Sequence, residues 1–308
     1  MIRRPIDHVP LFFKGAAMGV ADTVPGVSGG TVAFITGIYE ELIQSLAQLG
    51  PARLKDLRER GFRAFWYAIN GNFLLAVFSG LLIALFSVAE VMNWLLIHQR
   101  VLLWAFFFGL ITASVPLIML RLKRWRARHW VFLIIGVLVG LGITLLGVGR
   151  TPDTLWMIFI AGAIAVGAMV LPGISGSFLL LILGQYEVMV RAVVERDLLM
   201  IVAFGIGAVI GILGIARILS KLFRRHHDST IALLTGFMAG SLNMLWPWQA
   251  AADGTVGPGR RMGPAGFEAL TGQPAQVLAV LVCSLLGVAL VAAFARLDRS
   301  ARPGQDLT

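Results

Sequence analysis

Apolar stretches of about twenty residues alternate along this chain with short polar, mostly basic clusters. Six such stretches, near residues 68–89, 101–120, 130–148, 198–219, 229–246 and 274–295, have the length a helix needs to cross a hydrocarbon core about 30 Å thick. Two more apolar segments, 11–49 and 155–194, are interrupted by Pro-Gly and further Gly and Ser, the residues that end helices. In the first, residues 11–22 come before the break. At about 1.5 Å per residue they reach roughly 18 Å, too short to cross. That length favours a hairpin that dips in and returns. The second segment has a longer first arm, 155–171, and length alone does not choose there.

The two broken segments match each other. Gly15-Ala16 pairs with Gly162-Ala163, and Pro25-Gly26-Val27-Ser28-Gly29 with Pro172-Gly173-Ile174-Ser175-Gly176. Gly37 pairs with Gly184, and Tyr39-Glu40 with Tyr186-Glu187. A fainter echo relates Gly109…Ser114 to Gly236…Ser241. A block this long, recurring without gaps, marks a duplication. The first copy is residues 1–150 and the second 151–308, together one membrane domain.

Charge sets the topology. If each broken segment returns to its starting side and the N-terminus is cytoplasmic, 20 of the 26 Lys and Arg fall inside; Arg100, Arg150, Arg191, Arg196, Arg260 and Arg261 stay outside. The positive-inside rule favours that arrangement, with both termini cytoplasmic. One hairpin plus three spans per copy inverts the second copy. The expected fold is an all-α integral membrane protein of two inverted repeats, a frame in which broken helices line a midplane site.

Composition narrows the class. Only 14% of residues are charged and 58% are hydrophobic, whereas a soluble domain carries about 25% charged residues. The net charge of +10 sits in loops between spans, which removes nucleic acid as its partner. Cys283 is the single cysteine, so no internal disulfide forms, and no Cys/His spacing suits a metal. Lys14 breaks the first apolar run, which does not read as a cleaved leader. Gly136-xxx-Gly140 and Gly207-xxx-Gly211 read as helix-packing faces. Trp246-Pro-Trp248 reads as an interfacial aromatic belt, and His226 and His227 as part of a basic loop.

The turns carry the candidate chemistry. After Pro25 and Pro172, a helix start leaves amides without partners, with the positive end of the dipole behind them. Gly26, Gly29, Gly30, Gly173 and Gly176 let a ligand approach the backbone, and Ser28, Thr31, Ser175 and Ser177 add hydroxyls. Such a turn either binds phosphate or carboxylate or merely caps the returning helix; its recurrence favours the anion. Glu40 and Glu187, beside Tyr39 and Tyr186, lie about three helical turns down the returning arm. They either take up a coupling proton or face water. Asp22, matched by Met169, binds a cation, accepts a proton or caps local backbone. Lys14, Arg191 and Arg217 are the cations nearest the hairpins, for a head group or as interfacial decoration. No cofactor is implied beyond a coupling H+ or Na+.

With Ala21-Asp-Thr-Val-Pro-Gly-Val-Ser-Gly-Gly-Thr31, Gly37-Ile-Tyr-Glu40 and Leu171-Pro-Gly-Ile-Ser-Gly-Ser177, the chain resembles the PopT-type undecaprenyl-phosphate translocases. These are polytopic proteins long known only as a domain of unknown function. The resemblance runs from about residue 10 to 295. It implies a flippase in the cytoplasmic membrane, returning undecaprenyl phosphate for peptidoglycan and other envelope polymers. Two alternatives stand beside it. One is an integral-membrane polyprenyl-pyrophosphate phosphatase, whose Pro-Gly-x-Ser-Arg-Ser motif has an arginine where this chain has Gly29 and Gly176. The other is an ion-coupled carrier of a small soluble anion.

Overall fold

A computed structural model of the protein describes residues 5–120, 122, 125–147, 149, 151–251 and 253–300. Arg3, Arg4, Arg121, Lys123, Arg124 and Arg302, assigned above to the cytoplasmic side, and Arg150 opposite, lie outside the described residues. The helices, in chain order, are α1 (Val9–Asp22), α2 (Gly29–Ile35), α3 (Tyr39–Gln48), α4 (Pro51–Ala68), α5 (Gly71–His98), α6 (Arg100–Met119) and α7 (Ala127–Leu145). After them come α8 (Leu155–Met169), α9 (Gly176–Ile182), α10 (Tyr186–Val194), α11 (Leu198–Ser241), α12 (Pro264–Thr271) and α13 (Val277–Ser300). Strands β1 (Gln249–Ala250) and β2 (Arg260–Arg261) form an antiparallel ribbon between α11 and α12.

Helices α5, α6, α7 and α13 are each long and apolar enough to cross a membrane. Helix α11 has 44 residues, about 66 Å at about 1.5 Å per residue, too long for one crossing. It breaks at His226 (φ −142°, ψ 51°) into two arms. These four helices and two arms occupy the six apolar stretches. Their outer faces stay apolar: Phe86 is 79% exposed and Leu278 77%, which water would oppose and lipid accepts. The chain is thus an all-α, multi-pass membrane protein.

Three local outcomes differ from the sequence reading. The basic stretch after the first broken segment is helical rather than loop: α4 bends at Gly61 (φ +79°) and carries a Lys55–Glu59 pair one turn apart. Each returning arm is not one helix. Gly37 (φ +75°) and Gly184 (φ +70°) interrupt it, and α9 and α10 meet at 107°. Glu40 and Glu187 therefore open new helices instead of lying three turns down an old one. Finally, Trp246 and Trp248 do not form a lipid-facing belt. Their indole N–H groups donate to the Met262 and Ala275 carbonyls, both at 2.8 Å, which pins the ribbon over the helix ends.

Glycine decides which helices pair. At Gly15 and Gly80 the backbones of α1 and α5 approach so closely that a Cβ would strike the Val77 or Phe12 carbonyl. Gly162 and Gly207 do the same for α8 and α11, against Phe204 and Phe159. Two further crossings join the halves of the chain. Gly109 of α6 meets Ser284 of α13, and Gly236 of α11 meets Leu133 and Gly136 of α7. Apolar helices gain little hydrophobic driving force from associating in lipid, so close backbone contact at small residues carries the packing.

Candidate functional site

Helices α1 and α8 have 14 and 15 residues, and α2 and α9 have 7 each. At about 1.5 Å per residue these are roughly 21 and 10 Å long, so none of the four alone spans a layer about 30 Å thick. At each join a glycine takes a left-handed conformation, Gly26 at φ +93° and Gly173 at φ +84°. A side chain would be strained there.

The two turns touch. The Ser28 hydroxyl donates to the Met169 carbonyl at 2.8 Å, and the Gly173 amide donates to Thr31 Oγ1 at 2.8 Å. Gly30 sits against the Val170 and Met169 carbonyls, with no space for a Cβ. Ser28 and Thr31 are fully buried and Ser175 nearly so. Residues about 140 positions apart thus share one polar junction inside an apolar core, where unpaired polar groups are costly.

Their donors are in different states. At the start of α2, the Gly29 amide donates to Asp22 Oδ1 at 2.6 Å. The Gly30 amide donates to Ser28 Oγ at 3.0 Å, and the Thr31 amide to the Ser28 carbonyl at 2.9 Å. Asp22 thus caps local backbone, one of the three roles its position allowed, and its side chain already occupies this helix start. At the matching turn Met169 replaces Asp22. Ser175 Oγ bonds Ser177 Oγ at 3.0 Å and makes no capping bond. Among the described residues the Gly176 and Ser177 amides have no protein partner.

A small recess opens beside this second turn, lined by Gly26, Gly173, Ser175, Thr144, Phe178 and Met244 among others. Thr144 Oγ1 accepts from Asn243 Nδ2 at 2.6 Å. Arg261, in β2, reaches the same group: Nε donates to the Asn243 carbonyl at 2.8 Å and Nη2 to the Thr144 carbonyl at 3.2 Å. Burial pulls the Arg261 guanidinium below its ordinary pKa, yet arginine starts so high that it keeps its charge. No motif pointed to Thr144, Asn243 or Arg261. Arg261 was only one of six basic residues on the sparse side.

The remaining candidates lie elsewhere. Lys14 Nζ donates to the Thr36 carbonyl at 2.7 Å, at the end of α2. Arg217 donates to the Leu49 carbonyl at 2.6 Å, and Arg191 pairs with Asp153 at 3.0 Å on the surface. None of these bonds reaches a turn. Glu40 Oε1 bonds His227 Nε2 at 2.9 Å, and His227 Nδ1 bonds Asp228 at 3.1 Å. His227 therefore ties α3 to the break in α11. Glu187 is exposed. Tyr39 is buried between Phe34 and Phe223 with its hydroxyl unpartnered, whereas Tyr186 is 41% exposed.

Helices of this length and apolarity, with two broken, glycine-turned segments in contact, define a polytopic membrane protein of transporter-like build. The chain belongs to the undecaprenyl phosphate translocase-like family, whose model matches residues 18–259. It is 40% identical over 299 residues to a polyprenyl-phosphate transporter of Vibrio cholerae serotype O1, covering 94% of this chain and 97% of that protein. A polyprenyl-phosphate transporter of Staphylococcus aureus is 34% identical over 253 residues, covering 76% and 84%. No solved structure matches the chain.

Proposed function

We propose that this protein carries undecaprenyl phosphate from the outer to the cytoplasmic leaflet of the cytoplasmic membrane, supplying peptidoglycan and other envelope polymers. The observation that carries this reading is the contact between the turns, Ser28 on Met169 and Thr31 on Gly173. Two short broken helices meeting within a membrane make a gate that closes on itself. Their hydroxyls and amides are the groups a phosphate monoester would take over when the gate parts. The names of the relatives supply the polyprenyl phosphate.

In this mechanism the two halves are inverted repeats, both termini are cytoplasmic, and the hairpins enter from opposite faces. The head group docks at the second turn, among Gly173, Ser175, Gly176 and Ser177. The first turn, Pro25 to Thr31, closes over it. The prenyl tail stays in lipid while the site alternates in access. Coupling to H+ or Na+ runs through Asp22, whose carboxylate bonds a turn amide directly. Protonation there weakens the Gly29 cap and loosens the gate. Glu40 and Glu187 lie at the starts of α3 and α10, outside the junction.

The test is reconstitution of the purified protein in liposomes with a labelled polyprenyl phosphate whose exposure in each leaflet is followed. Movement between leaflets without release of phosphate is the expected result. Release of inorganic phosphate from polyprenyl pyrophosphate would establish a phosphatase instead. Transport of a soluble anion with no lipid movement would establish the carrier.

A further inference from the structure

Arg261 is half-buried, and its observed partners are two backbone carbonyls, those of Asn243 and Thr144. Carbonyls orient a guanidinium but do not neutralise it, and among the described residues no Asp or Glu pairs with Arg261. Nη1 has no protein partner among them either. A half-buried, uncompensated cation is costly unless an anion completes it.

The position of this charge is fixed. Gln249, the ribbon partner of Arg261, donates to the Met244 and Trp246 carbonyls at 2.8 and 2.7 Å. The Trp246 indole in turn holds Met262. Arg261 is thereby mounted on the ends of α11 and α7 rather than left on a free loop. Thr144, whose carbonyl it grips, lines the recess shared with Gly173 and Ser175. Arg261 stands behind Thr144 rather than in that lining. A phosphate monoester reaching out of the recess would meet a serine hydroxyl on one side and, on the other, the outer Nη1–Nη2 edge of the guanidinium left open by the two carbonyl bonds, a planar pair of donors an ammonium does not reproduce.

We infer that Arg261, with Thr144 and Asn243 as its mount, is a binding residue for the phosphate monoester at the mouth of the second turn. This rests on the transport reading only in taking the phosphate to be a lipid head group; the same chemistry would bind free phosphate.

The experiment uses the full chain in nanodiscs and liposomes, with polyprenyl phosphate, the unphosphorylated polyprenol and inorganic phosphate as separate probes. Relative to wild type, R261Q is expected to bind polyprenyl phosphate about 10- to 100-fold more weakly, the usual effect of losing a charged hydrogen bond. Polyprenol binding should not change. R260Q removes the same charge from an exposed neighbour and should shift affinity by less than about twofold, as expected of a solvated charge. R261K keeps the charge and loses the fork; its affinity should fall several-fold, and it carries the test if R261Q does not fold. Wild-type affinity for polyprenyl phosphate in R261K and R261Q, with lipid movement intact, would overturn the inference and leave the transport reading standing. Arg261-dependent binding of inorganic phosphate by a protein that moves no lipid would uphold the site and overturn that reading. Binding of neither probe by wild type would overturn both.

Discussion

Asp22 and Met169 hold matching places before the two turns, and that one difference gives the turns different chemistry. The carboxylate caps Gly29 at 2.6 Å; a thioether makes no such bond. Replacing Asp22 with Ala leaves the Gly29 amide unpaired in a largely apolar setting. The expected cost is about 1–2 kcal/mol, read as a lower apparent unfolding midpoint in detergent. Asp22→Asn keeps an acceptor and should cost less than about 1 kcal/mol, while flattening the pH dependence of lipid movement in liposomes. A D22A protein as stable as wild type would remove the cap from the account. The sequence marked Asp22 as a residue of three potential roles; that it caps backbone needed the distance to Gly29.

At the scale of elements, the helix pairs are set by glycines that admit no side chain. A Cβ at Gly207 meets the Phe159 carbonyl of α8, whereas one at Gly205, on the same helix, meets nothing within 4 Å. Gly207→Ala should therefore force α8 and α11 apart at a cost of about 1–3 kcal/mol. Gly205→Ala should be neutral or up to about 1 kcal/mol stabilising, through helix propensity. Thermal scans of both variants in one detergent would check the contrast, and equal midpoints would contradict it. The Gly207-xxx-Gly211 spacing announced a packing face in the sequence. Its partner, α8, was not legible there, because a small-residue stripe says how closely a helix can be approached and not by what.

For the whole molecule, the decisive question is the sidedness of the two hairpins. If the halves are inverted, residues 40 and 187 face opposite compartments. In a Cys283→Ala background, a cysteine replacing Glu40 should react with an impermeant thiol reagent only from the cytoplasmic side, and one replacing Glu187 only from outside. Labelling of both from one side would defeat the inverted arrangement and the alternating access built on it. The side chains support the measurement, since Glu40 is 41% exposed beside His227 and Glu187 is exposed.

The apolar spans, the breaks at Pro25 and Pro172, the recurring Gly-Ser turns and the lipid-facing character were all determined by the sequence alone. Each is a local property: a run of apolar residues, a ring that removes a donor, a glycine that tolerates positive φ. Only the tertiary structure decided that the first turn's amides are already capped and that Ser28 grips Met169. It alone brought Arg261 to Thr144, 117 residues away. Those outcomes depend on which backbones come within hydrogen-bonding distance after the helices pack, and no local pattern encodes that.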